Sequence, residues 1–169
     1  LTIGGRYWQI IIGSGHSPEH ACLYCPALNV LISGDQILPT ISSNVSVYPT
    51  EPNANPMAGW FESLRRLKTV LPDDVLVLPS HGKPFRDVKK RLDALIGEHE
   101  TCLCDLHEFC REPKRVIDVF PTLFKSKITD SNLVMATGEA IAHLTYLLDK
   151  GEFERTTDDN EVCWYRSVL

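Results

Sequence analysis

A chain of 169 residues, 43% hydrophobic and 23% charged, is long enough to bury most of its apolar surface as one domain, or as one domain with an appendage. No uncharged apolar run approaches the roughly 20 residues that cross a bilayer, and no basic segment precedes an apolar stretch at the start, so neither a membrane span nor a secretion signal is expected. With 17 basic against 22 acidic residues the net charge is −5, and no overall basic field exists to attract nucleic acid.

The chain opens on Leu1-Thr2-Ile3 without an initiating Met, and a missing natural beginning is expected. Tyr7 to Ile12 is aromatic and β-branched and stops at Gly13-Ser14-Gly15, which predicts a strand running into a loop that carries His16. His20 to Cys25 and Leu28 to Ile32 flank Pro26-Ala27 and predict a hairpin whose far end delivers Asp35. Residues 39 to 56 are rich in Pro, Asn, Ser and Thr and predict a long loop. Asn55-Pro56 then supplies a cap and a first-turn proline, and Trp60, Leu64, Leu67 and Leu71 recur at helical spacing up to Pro72, which predicts a helix with one buried face. Val75 to Leu78 predicts a fully buried strand that ends in Pro79-Ser80-His81-Gly82.

From Asp87 to Cys110 the apolar positions fit a long amphipathic helix closed before Pro113, with His99 and His107 expected to face solvent. Val116 to Phe124 predicts a short helix and Leu133 to Leu148 a longer one that Gly151 terminates. Phe153 to Thr156 and Val162 to Arg166 flank a Thr-Asp-Asp-Asn turn and predict a hairpin. Helices followed by a hairpin suggest a winged-helix-like module over 111–169, appended to an α/β domain over 1–110. The six cysteines are poorly spaced for a zinc cluster. An odd separation on a strand sends Cys22 and Cys25 to opposite faces, and Cys102 and Cys104 lie about 200° apart on a helix. Free thiols are therefore expected, which suits a reducing, cytoplasmic setting.

Three segments share one design, in which an apolar strand ends in a small-residue loop that presents His16, Asp35 or His81. Side chains at neighbouring strand ends can converge, because rigid strands fix their positions while loops leave access for a substrate. Two imidazoles and a carboxylate are donors that suit Zn²⁺, and also Mn²⁺ or Fe²⁺. A lone loop histidine is more often a hydrogen-bonding surface residue, and three in this order reverse that expectation. His99, His107 and His143 sit in helical patterns without a spaced partner and read as solvated or core histidines, and Trp60 and Leu64 read as core.

The strings GHSPEH (Gly15 to His20), SGDQ (Ser33 to Gln36) and PSHG (Pro79 to Gly82) resemble the later motifs of the metallo-β-lactamase superfamily, in order, spacing and strand context. The resemblance implies that His16 is a ligand of a first metal, Asp35 a carboxylate bridging two metals, and His81 a ligand of the second, with His20 a structural histidine that hydrogen-bonds near the site. It also implies a binuclear, zinc-dependent hydrolase acting on a small-molecule thioester, ester or related substrate, nearest to the glyoxalase-II-like and β-lactamase-like-2 branches, with a nuclease or lactonase as alternatives. The family's early His-x-His-x-Asp-His string is absent here. Residues 1 to about 100 therefore resemble the second αβ half of an αββα sandwich whose first half lies outside this chain, and the chain by itself is expected to be inactive.

A rival expectation is a non-catalytic half-domain or interaction module that needs another chain. The sheet face left bare by the missing half predicts self-association, a homodimer included. The acidic tail (Asp149, Glu152, Glu154, Asp158, Asp159 and Glu161 against Lys150 and Arg155) disfavours phosphate and hence nucleic acid.

Overall fold

The computed structural model describes residues 1–169, which divide into two compact units, one formed by 1–44 with 58–97 and the other by 45–57 with 98–169. Segment 45–57 thus leaves the first unit and returns to it within one connection.

In the first unit, β1 (Thr2–Ile3) and β2 (Arg6–Tyr7) form a small hairpin around Gly4 and Gly5, which hold φ of 56° and 72°. Two successive positive φ values make the primed turn that suits the twist of paired strands, and glycine takes them without cost from a Cβ. The single strand expected over Tyr7 to Ile12 is therefore split at Trp8, because the Gly-Gly turn spends Tyr7 on the hairpin. The main sheet consists of β3 (Gln9–Gly13), β4 (His20–Cys25), β5 (Val30–Gly34) and β6 (Leu76–Pro79) in that spatial order. β4 is antiparallel to both neighbours, and β6 is parallel to β5. It follows that β3, β5 and β6 all run the same way and end on the same edge.

Helix α1 (Pro56–Val70) is the crossover between the parallel strands β5 and β6, as parallel pairing requires. It buries Trp60, Phe61, Leu64 and Leu67 completely or nearly so, and Ser63 Oγ accepts from the Ser14 backbone N–H at 2.8 Å. Each such side chain removed from water contributes about 1.5–3 kcal/mol. One face of the sheet is sealed by Ile11, Cys22, Leu31 and Val77. The other carries Ile10, Ile12 and Ile32, which are 46%, 42% and 40% exposed, and half-buried Leu23 and Leu78. Leu23 pairs with Ile10 on one side and Ile32 on the other, and Ile32 pairs with Leu78, so the apolar row is continuous across all four strands. Strand β6 is accordingly covered on one face only, not on both as its unbroken apolar run suggested.

Helix α2 (Val88–Phe109) continues from the first unit into the second. The second unit adds a 3₁₀ turn (Val116–Val119), α3 (Phe120–Leu123), α4 (Leu133–Asp149) and a hairpin of β7 (Phe153–Thr157) and β8 (Cys163–Ser167). Lys114 extends this hairpin through paired backbone bonds with Tyr165 of 2.9 and 2.8 Å. All six cysteines are free, with Cys22, Cys25 and Cys110 buried. Burial pushes the Cys22 thiol up to about 12 against a weaker downward pull from Arg66, and Cys110 up to about 11, which leaves both as inert packing groups. No helix is long and apolar enough to cross a membrane.

Candidate metal centre

The common edge on which β3, β5 and β6 end carries His16, Asp35 and His81. A register irregularity in β5 lies between Ile32 and Gly34, where Gly34 opposes Pro79, and Ser80 N–H donates to Gly34 O at 3.2 Å. This pairing sets the residue after each strand side by side.

Asp35 sits between the two imidazoles. Its Oδ2 is 3.7 Å from His16 Nε2 and its Oδ1 is 3.5 Å from His81 Nε2. His16 Nδ1 lies 2.8 Å from the Asn44 carbonyl oxygen. A carbonyl can only accept, so Nδ1 carries the proton and, in the neutral ring, Nε2 presents its lone pair to the Asp35 carboxylate. Two lone-pair atoms facing each other at this separation need a positive charge between them, from a proton or a metal ion. A tetrahedral zinc with N and O ligands at about 2.0–2.2 Å separates two donors by about 3.4 Å, close to both distances. The donor set fits divalent metals. No three His, Cys, Asp or Glu side chains form a ready-made cage for an ion, because each side of the carboxylate has only one imidazole.

Several groups fix this arrangement. Gly34 holds φ of +54°, and a Cβ there would lie 2.4 Å from His20 Nε2, so only glycine serves on both counts. His20 donates through Nε2 to the Ser33 carbonyl at 3.0 Å and pins the turn that delivers Asp35. Ser80 donates to Asp35 Oδ1, and Ser43 donates to the Asp35 backbone carbonyl. Gln36, fully buried, donates to the Ser14 carbonyl at 3.3 Å and lies over Gly13, where a Cβ would meet its side chain at 2.3 Å. Ser80 was visible in the sequence as a hydroxyl next to His81. The Asn44 carbonyl carried no signal, since any residue supplies one.

The other histidines fall elsewhere. His99, expected to face solvent, is 4% exposed and His143 is 2% exposed. His99 Nδ1 lies 3.1 Å from His143 Nε2, and His143 Nδ1 donates to the Glu139 carbonyl at 2.8 Å. The pairing crosses from α2 to α4, which explains why helical spacing alone did not show it. Burial pushes His143 down to about 4, partly opposed by the Glu139 carbonyl, while burial and then the His143 charge push His99 down to about 3. His107 is partly buried and not solvated as expected. It joins Ser167 at 3.0 Å and Glu152 at 2.9 Å and pins the β7–β8 hairpin to α2.

The sequence profile of the metallo-β-lactamase superfamily matches residues 2–81, and that of the metallo-β-lactamase-like C-terminal domain matches residues 103–168. The chain belongs to the metallo-β-lactamase superfamily. This superfamily chain is similar to the crystal structure of a β-lactamase domain protein from Burkholderia ambifaria, with 42% identity and a TM-score of 0.94 over 99% of this chain and 50% of that one. It is also similar to a metallo-β-lactamase family protein from Thermus thermophilus, with 26% identity and a TM-score of 0.83 over 98% of this chain and 51% of that one. Among curated proteins, an atrochrysone carboxyl ACP thioesterase from Aspergillus fumigatus is 28% identical over 93 residues, which is 55% of this chain and 20% of that protein. The chain thus spans about half the length of the two solved relatives and a smaller share of the thioesterase. Members of the superfamily are commonly metal-dependent hydrolases.

Proposed function

We propose that this chain is the C-terminal half of a hydrolase with a binuclear metal centre, in which His16 and His81 each hold one ion and Asp35 bridges them. The observation that carries the reading is the Asp35 carboxylate lying between the two imidazoles, one oxygen toward each. Zinc suits the donors, as do Mn²⁺ and Fe²⁺. Ions held there would supply Lewis acidity toward a carbonyl or phosphoryl oxygen and a water of lowered pKa. The chain's own contribution is positional. Ser80 fixes the rotation of the Asp35 carboxylate, the Asn44 carbonyl fixes the His16 tautomer, and His20 fixes the turn between strand and ligand. His81, 71% exposed at its side chain, leaves the site open toward solvent and substrate.

A thioester or ester is the proposed substrate class, supported by the strings GHSPEH and SGDQ and by the similarity to a thioesterase. The remaining ligands come from a preceding half, which covers the bare sheet face through Ile10, Ile12, Leu23, Ile32 and Leu78. Without that half the shell is incomplete and binds metal weakly, so the chain alone is inactive. Metal analysis of the full-length protein is expected to find two divalent ions per chain and activity abolished by chelators. A metal-free full-length protein whose activity ignores chelators overturns the assignment and leaves the rival, a non-catalytic module. The isolated chain is expected to self-associate through its bare face, and a monomer in sedimentation at high concentration contradicts that. The free thiols favour a reducing, cytoplasmic setting.

A further inference from the structure

The loops that present His16, Asp35 and His81 share one neighbour, the irregular segment that follows Asp35. Residues 35–44 form no helix or strand, yet Gln36, Ile37, Leu38 and Ser43 are buried. Buried backbone without regular pairing needs specific partners to keep one path. The segment meets the surroundings of each ligand in turn. The Asn44 carbonyl accepts from His16 Nδ1, and Ser43 Oγ donates to the Asp35 carbonyl. Next to His81, Gly82 holds φ of +86° and a Cβ there would stand 2.6 Å from Pro39 Cγ, so Pro39 lies directly on the loop that carries the third ligand. All of these residues belong to the first unit, 1–44 with 58–97.

Arg91, in the first turn of α2 and in the same unit, grips this segment. Its Nε donates to the Leu38 carbonyl at 2.7 Å and its Nη2 to the Ile41 carbonyl at 3.0 Å. The turn beneath it is anchored by Val88, Leu92 and Leu95, all fully buried. A guanidinium is planar and points its donors in fixed directions, so bonding both carbonyls fixes them relative to each other as well as to the helix. Ile41 is 58% exposed, so burial of its own side chain does not hold this stretch in place.

We propose that Arg91 is a positioning residue for the metal centre: by bridging the Leu38 and Ile41 carbonyls it sets the path of segment 38–44, and with it the Asn44 carbonyl on His16 and Pro39 on the His81 loop. The inference rests on the metal-centre reading above. Loss of an outer support that orients a ligating histidine costs about 10–100-fold in metal affinity. Arg91 acts one step further out, through the segment, so its effect belongs at the low end of that range.

The test uses the full-length protein with Arg91→Met, which keeps an apolar stem and removes both donors, and with Arg91→Lys, which keeps the charge and removes the fork. Zinc affinity is measured by competition with a chelating dye, and the His16 tautomer in the metal-free protein by ¹⁵N chemical shifts. Arg91→Met is expected to weaken zinc about tenfold and to mix the His16 tautomers, and Arg91→Lys to show most of both losses. Unchanged zinc affinity with His16 still protonated at Nδ1 overturns the proposal, as does a fall in thermal stability alone. Wild-type behaviour of Arg91→Lys overturns it too, since charge without the fork would then suffice. If the wild-type protein binds no zinc, the metal-centre reading fails, and the tautomer measurement still decides whether Arg91 holds the Asn44 carbonyl against His16.

Discussion

The molecule contains two close groupings of imidazoles that differ in what surrounds them. At the edge of the sheet His16 and His81 flank a carboxylate and are open to solvent, with side-chain exposures of 30% and 71%. In the second unit His99 and His143 bond to each other at 3.1 Å in a sealed interior. The buried pair is satisfied: one ring donates to the other, and the second donates to a backbone carbonyl, so two neutral imidazoles complete a short chain that ends on α4. The open pair is arranged differently, with one nitrogen of each ring facing a separate oxygen of the same carboxylate at 3.7 and 3.5 Å. Histidines that complete each other hold a fold together, whereas histidines that share one exposed carboxylate have the geometry that the proposed metal centre uses.

This contrast can be broken from either end. Replacing His143 with alanine is expected to cost about 3–4 kcal/mol, from the cavity and from the stranded Nδ1 donor of His99, with zinc affinity unchanged; denaturant melts and a zinc titration of the full-length protein check both halves. Asp35→Asn is expected to do the reverse, weakening zinc on the order of a hundredfold or more while the unfolding midpoint moves little, since the site edge contributes little packing. Equal sensitivity of stability to both changes would erase the distinction.

The two groupings also differ in their response to pH. With folded-state values pushed down to about 4 and about 3 from 6.5, His143 and His99 bind fewer protons in the folded chain than in the unfolded one. Their contribution is complete above about pH 6.5 and is lost as pH falls below it toward those values, by up to about 1.4 kcal/mol per pH unit for each ring. Denaturation midpoints at pH 7, 6 and 5 should follow that slope, and His143→Leu should flatten it. The smallest effect is expected at Gly34, where alanine must hold a positive φ beneath the His20 ring. A loss of about 1 kcal/mol, together with measurably weaker zinc binding, would show that the turn serves Asp35 as well as the fold.

What the sequence determined by itself was local and periodic. The helices starting at Pro56, Val88 and Leu133 and the hairpin ending at Ser167 follow from apolar spacing, proline and glycine placement, and turn residues. The three strand-end motifs point to one edge because strands running the same way end together. Only tertiary structure decided the rest. The bare face of the sheet and the single covered face of β6 depend on which side α1 packs against, and a run such as Val75 to Leu78 reads the same with one layer over it or two. The burial of His99 depends on α4 arriving from 44 residues away, and the grip on His16 depends on a carbonyl that any residue possesses. Side-chain periodicity records what each element turns toward the interior. Which backbone atoms and which distant helices meet there is fixed only when the chain closes on itself.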